Sequence, residues 1–262
     1  MGTIDAMSPA SPSGKIGTAV RRPRRRRSVK KPDVAAISSL LARLDRILGG
    51  PQAEMLPRLR DLAREVDRIV PYYDGHMIRV TFYSVAVGMS MKLPREDLLT
   101  LEVAALLHDF GKLGVEEATL DKEERLSDEE FAEIQHHAER GYHILSGFSQ
   151  LSDVAGIIRD HHERYDGTGY PARKHGHDIS LLSRIIAVAD SYDAMTTSRP
   201  YRRRRTHAQA QDELIRQAGR QFDPEVVHHF IDEVGKRKLR TKRRAQRAAR
   251  SREQFIEFMP MF

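Results

Sequence analysis

The stretch Leu107-His108-Asp109-Phe110-Gly111-Lys112 carries an apolar run, 103–107, into a His-Asp pair, then a Gly able to end a helix and a Lys beside it. Adjacent side chains on a helix point about 100° apart, so a mid-helix pair diverges. At the last turn both can still converge on one ion beyond the helix end. A His with an Asp suits Fe, Mn or Zn better than Mg or Ca. Two residues are too few for a site, so the rest of the chain must supply more. With no Cys in 262 residues, disulfides and thiolate sites are excluded, and any metal must be held by carboxylates and by some of the twelve His.

The length allows one good-sized core, or one domain with a small companion. No apolar run approaches the roughly 20 residues of a membrane span. The basic N-terminus has no apolar stretch after it, which excludes a secretory signal and makes the cytoplasm the expected location. The net charge of +7 is segregated: residues 1–33 carry +7 and 236–262 carry +8, leaving −8 on 34–235. An acidic body suits carboxylates clustered around cations. Two basic arms suit an acidic partner or nucleic acid, the latter not favoured. Their composition, with Arg21-Arg22-Pro23-Arg24-Arg25-Arg26-Arg27 in the first, predicts disorder.

From residue 34 the apolar period is helical. Val34, Ile37, Leu40, Leu41, Leu44, Ile47 and Leu48 form one face, stopped by Gly49-Gly50-Pro51. Leu59, Leu62, Val66 and Ile69 repeat it up to Pro71. This helical pair at 34–72 packs as ordinary core, caps the main domain or mediates dimerisation. A third helix opens at His76 and runs to about Met91, and a fourth starts at Pro94 and delivers His108-Asp109. Residues 113–126 read as charged and mostly irregular. Ser127 with Glu130 is a capping box, predicting one helix through about Leu145. A short helix over 151–158 leads to His161-His162-Glu163, then a loop at 165–171. The apolar segment 185–189 allows a strand, but its continuation through Ala194 and Met195 favours a helix. One helix follows over about 206–218. Another is opened by Asp223-Pro224 and stopped by Gly235. The body is therefore expected to be all-α.

Candidate ligands come one or two at a time from different helices: His76, His108 with Asp109, His137, His161 with His162, and Asp190. Helical bundles build metal centres this way, from side chains projecting inward. Seven ligands with a carboxylate able to bridge fit two divalent ions, which together can hold a hydroxide and clamp a phosphoryl group.

The chain also resembles the HD-GYP family of metal-dependent phosphohydrolases, over roughly 74–234. The likeness runs through His76-Met77-Ile78-Arg79, His108-Asp109-Phe110-Gly111-Lys112 and His137-Ala138-Glu139-Arg140-Gly141. It continues in His161-His162-Glu163-Arg164-Tyr165-Asp166-Gly167-Thr168-Gly169-Tyr170-Pro171, Ala189-Asp190-Ser191-Tyr192-Asp193-Ala194, Arg199-Pro200-Tyr201-Arg202 and Phe222-Asp223-Pro224. The resemblance implies an HD-domain helical bundle over 73–235, two ions (Fe or Mn) and hydrolysis of cyclic di-GMP by attack of a metal-activated hydroxide. One ion would be held by His76, His108, Asp109 and Asp190. The other would be held by Asp109, His137, His161 and His162, with Asp109 bridging. Lys112 would contact phosphate, and Arg184 and Arg199 would face substrate unless they pair with body carboxylates. Gly169-Tyr170-Pro171 would shape the site and meet diguanylate cyclase-type partners. The family spacing of His to Gly selects His137 over His136, which would point about 100° away to the surface. Asp193, one turn after Asp190, reads as an orienting partner of a ligand or as a core hydrogen bond.

Departures from the family pattern fall in loops: Val115-Glu116, Lys122-Glu123-Glu124 and Arg173-Lys174. They keep open a hydrolase of another cyclic dinucleotide; the other alternative to cyclic di-GMP hydrolysis, an idle sensor or cyclase-docking module, is opposed by the filled metal-ligand positions. A carboxylate one turn before the first His adds a third ion in some members. Here that position is Tyr72, with Asp74 the nearest acid, so two ions are expected.

Overall fold

The structure is a computed structural model and describes residues 34–69, 75–120, 122, 124, 126–198 and 204–236. Residues 1–33 and 237–262 of the basic arms, with Tyr72, Asp74 and Arg199, lie outside these residues. Among the described residues the fold is all helix, apart from an isolated bridge between Ala218 and Phe222. No described helix is long and apolar enough to cross a membrane.

Helices α1 (Val34–Leu48) and α2 (Gln52–Ile69) form the N-terminal pair. Next come α3 (His76–Ser90) and α4 (Arg95–Leu107), then a 3-10 turn at Phe110–Gly114 and the short α5 (Glu117–Leu120). Helices α6 (Asp128–Gln135), α7 (His137–Leu145) and α8 (Ser152–Arg159) follow. The bundle closes with α9 (Leu181–Thr196), α10 (His207–Arg216) and α11 over 224–236.

Helix α4 is the axis. Leu101, Val103, Ala104, Ala105, Leu106 and Leu107 are all buried, so its C-terminal half is apolar all round, as a helix surrounded by others must be. It packs on α2, α3, α8 and α9. Leu40, Leu44, Leu59, Leu62 and Val66 of α1 and α2 belong to the same hydrophobic cluster as Ile158, Ile185 and Ile186. The N-terminal pair therefore packs as core against the bundle.

Three local expectations are corrected. The segment opened by the Ser127–Glu130 capping box is two helices, parted at His136. The break lets the start of α7 rest on the 3-10 turn. A Cβ on Gly111 would lie 2.0 Å from the His137 carbonyl oxygen, so the two backbones touch. The charged segment after Lys112 is more ordered than expected. Glu133 of α6 accepts from the Glu116 amide and the Thr119 hydroxyl, each at 3.0 Å, and holds α5. Gly235 does not stop α11, which continues through it to 236. A glycine inside a helix costs about 1 kcal/mol relative to Ala and does not by itself end it. At the other end of α11, Asp223 caps as expected, accepting from the Glu225 amide at 2.8 Å.

Candidate metal centre

Three of the histidines stand just beyond or at a helix end, and each ring bonds back to a carbonyl three residues earlier. Nδ1 of His108 lies 2.9 Å from the Ala105 oxygen, and those of His137 and His161 lie 2.5 Å from the Ile134 and Ile158 oxygens. These carbonyls fall in the last turns of α4, α6 and α8, where backbone acceptors lack helical partners. With Nδ1–H donating, each imidazole is the tautomer with its Nε2 lone pair facing inward. Those three Nε2 atoms, with Oδ1 of Asp109, are buried and have no hydrogen-bond partner among the described residues. Inward acceptor atoms left unsatisfied this way fit a metal ion.

His76 is oriented differently: its Nδ1 donates to Asp193 Oδ2 at 2.8 Å. Arg79 grips the same carboxylate through Nε at 2.6 Å and a terminal nitrogen at 2.9 Å. Asp193 thus takes the orienting role, as carboxylates behind metal-binding histidines do.

Asp109 lies between two groups. Its Oδ2 is 3.5 Å from His76 Nε2 and 3.6 Å from His108 Nε2, while its Oδ1 is 3.5 Å from His137 Nε2. Asp190 Oδ1 sits 3.3 Å from His76 Nε2. Ligand-type atoms of His76, His108 and Asp109 lie within 4.8 Å of one another, as do those of His137, His161 and His162. Ligands about 2.1 Å from a shared ion stand roughly 3.0–3.4 Å apart, so the 3.3–3.6 Å separations around Asp109 and His76 are close to those of a coordination shell. The 161 and 162 rings lie 3.9 Å apart between centroids, and the 137 and 162 rings 5.0 Å apart. All seven sequence candidates therefore converge on one centre.

The electrostatics keep most of these groups ready for a cation. Burial, with help from Lys112, pushes His137 down to about 3, and burial with the neighbouring His108 pushes His161 down to about 4. Burial and His161 hold His162 well below its usual value. These imidazoles are neutral near pH 7, as ligands must be. Burial also lowers His76, but its hydrogen bonds to Asp109, Asp190 and Asp193 outweigh burial and raise it. Burial opposes ionisation of Asp109, yet Lys112 and the surrounding histidines hold it well below the carboxylate range. Lys112 Nζ donates to Asp109 Oδ2 at 2.7 Å, placing a buried ammonium beside the centre.

His162, Asp190 and Tyr170 are only partly buried, so the centre opens to solvent on their side. The Tyr170 ring tilts 31° over His162 at 5.0 Å. Gly169 sits where a Cβ would meet the Arg164 nitrogen at 2.3 Å, so only glycine lets this loop fold onto 163–164. Glu163 fixes the loop's far end, accepting from the Ala172 and Lys174 amides at 2.6 and 3.1 Å.

His136 is exposed, away from the centre. Arg184 does not reach into open space: it donates to the Ile179 carbonyl at 3.0 Å and pairs with Asp223, so its charge is met inside the fold. Sequence reasoning gave no role to Arg79, and missed Asp67, a buried α2 carboxylate that accepts from the Met77 amide. The signal for Asp67 was its place eight residues after Leu59, on the apolar stripe of α2 where a charge is out of pattern.

Residues 58–226 match the HD domain family. The chain is 34% identical, over 78% of its length and 53% of the relative's, to the cyclic di-GMP phosphodiesterase response regulator RpfG of Xanthomonas campestris. It is 43% identical, over 52% of its length and 30% of the relative's, to the 3′3′-cGAMP-specific phosphodiesterase 3 of Vibrio cholerae. It thus spans about half or less of the length of these relatives. Bd1817, an HDG"Y"P protein from Bdellovibrio bacteriovorus, has the same fold, with TM-score 0.54 and 18% identity over 76% of this chain and 70% of the other. With the matched segment spanning α2 to α11 and enclosing all seven converging residues, the chain belongs to the HD domain family.

Proposed function

We propose that this chain is a metal-dependent phosphodiesterase that hydrolyses cyclic di-GMP. The observation that carries the reading is Asp109 turned with one oxygen toward His76 and His108 and the other toward His137. In this reading His76, His108, Asp109 and Asp190 hold one divalent ion, and Asp109, His137, His161 and His162 hold a second. Iron or manganese suits such a set of imidazoles and carboxylates. When bound, two such ions supply an activated water and neutralise charge on phosphoryl oxygens. The chain's own residues do the remainder. The Nδ1 hydrogen bonds aim the imidazoles, and burial keeps His137, His161 and His162 neutral. Lys112 adds a fixed positive charge where negative charge grows on the phosphoryl group. The open side at Asp190, His162 and Tyr170 admits the substrate, and the glycine-dependent loop holds Tyr170 there. A cyclase-type partner docking on 169–171 would sit beside the entrance.

A second substrate, 3′3′-cGAMP, is favoured by one observation: Vibrio cholerae relatives named as specific for it match this chain at 43%, 36% and 34% identity. The deciding experiment incubates Mn²⁺- or Fe²⁺-loaded protein, and a chelator-treated control, with cyclic di-GMP and 3′3′-cGAMP and resolves the products. Linear dinucleotide or GMP from cyclic di-GMP, only with metal, supports the proposal. Cleavage of 3′3′-cGAMP alone moves the reading to the second substrate. Tight binding without any product would make the chain a sensor.

A further inference from the structure

Helix α3 begins at His76, and its N-cap, Gly75, sits at φ +70° with no side-chain bond to the first turn. The first amides of a helix have no partner within it and need acceptors from elsewhere. At Met77 that acceptor is Asp67 of α2, whose oxygens lie 3.1 and 3.3 Å from the Met77 nitrogen. The carboxylate is 3% exposed, in a helix that packs on α3, α4 and the 3-10 turn carrying Lys112. A carboxyl oxygen placed here accepts the N–H that the helix itself leaves without an acceptor. Because this cap comes from a different helix, it ties the first turn of α3 to α2. His76 is the first residue of that turn.

We infer that Asp67 is a positioning residue of the metal centre: capping α3 from α2, it sets where His76 stands and makes the N-terminal helical pair a working part of the site. The inference rests on the two-ion reading above and sharpens it. His76 belongs to only one of the two proposed ligand sets. A disturbance at Asp67, or a partner that shifts α2, therefore acts on that ion and spares the other.

The test uses the full chain, with Mn²⁺ as probe, by titration calorimetry and elemental analysis. D67N keeps an acceptor oxygen for the Met77 amide, whereas D67L has nearly the same shape and none. Wild type and D67N should bind two Mn²⁺ alike. D67L should bind one as before and the other at least tenfold more weakly. Leu59→Ala, buried on the same helix, should lower Tm and leave both affinities unchanged. Wild-type affinities in D67L, or an equal loss in Leu59→Ala, would overturn the inference. Should D67L fail to fold, hydrogen exchange at the wild-type Met77 amide decides. Linkage requires it to slow on Mn²⁺ loading, and identical exchange with and without metal would sink the inference. A wild-type chain that took up no ion would fail the metal-centre reading itself, a result separable from all of these.

Discussion

Asp109→Asn removes the charge that faces both halves of the centre and keeps the side chain's shape. In the metal-free protein, Lys112, 7% exposed, loses the carboxylate it holds at 2.7 Å. Taking away one partner of a buried pair costs about 3–5 kcal/mol, because the remaining charge stays buried and loses that attraction. Two effects move that figure. Asp109 is itself 2% exposed, so a neutral amide relieves its own desolvation and lowers the net cost. His76 loses a hydrogen-bond partner that favours its protonated form, which raises the cost. The expected loss is therefore about 3 kcal/mol, the lower end of the range. Urea unfolding of chelator-treated protein should show it as a lower midpoint at unchanged slope. Metal adds a second reading. Free ion at about a hundredfold over Kd stabilises a native chain by about 2.7 kcal/mol per site. The variant should show less than half of the wild-type gain, since both proposed ligand sets lose their common carboxylate, and its turnover should vanish. An Asp109→Asn chain with two tightly held ions, full metal-dependent stabilisation and undiminished turnover would refute this reasoning.

His136→Ala should leave metal content unchanged while His137→Ala loses about one ion, by elemental analysis; the reverse ranking would put the ligand one residue earlier. Gly111→Ala should destabilise by at least about 3 kcal/mol, the top of the overpacking range, because the added methyl meets backbone 2.0 Å away. Thermal unfolding of the metal-free variant within about 2 °C of wild type would contradict that contact. Protein purified without chelators should carry at most two ions per chain, and a third that disappears in Asp74→Ala would add a site. Removing 1–33 and 237–262 should leave kcat and KM largely unchanged; a raised KM with weaker salt dependence would show the arms guiding an anionic substrate.

What could be read from the sequence was whatever a residue's own neighbours determine. The run 103–107 predicted a buried helix because apolar side chains on every face exclude a solvent side. His76, His108 and His161 could be found because each lies at a helix start or stop readable from the sequence, whereas His137 sat inside what read as one helix. The choice of His137 over His136 depended on Gly141, and the structure sets Gly141 in the same contact: its nitrogen would lie 2.6 Å from a Cβ on Gly111, while a Cβ on Gly141 itself would crowd the Ile158 side chain at 3.3 Å. The rest depends on packing between distant elements. Nothing around Asp67 in the sequence says that a backbone amide of another helix will need it. Arg184 carried a charge with many possible partners, and only the fold brings it to Asp223. The break at His136 arises where α7 meets the 3-10 turn, not from any helix breaker in 127–145.

The bonds from His108, His137 and His161 to carbonyls three residues back make the centre unequally robust to evolutionary drift. Those three rings are aimed by main chain, which every residue type provides, so Ala105, Ile134 and Ile158 can change identity without misdirecting them provided the helices persist. His76 has no such insurance. Its ring is aimed through side chains, Nδ1 on the carboxylate of Asp193 and that carboxylate in turn on Arg79. Single-letter changes that silence this protein without touching a proposed ligand should therefore gather around His76 and be sparse at the opposite end of the centre.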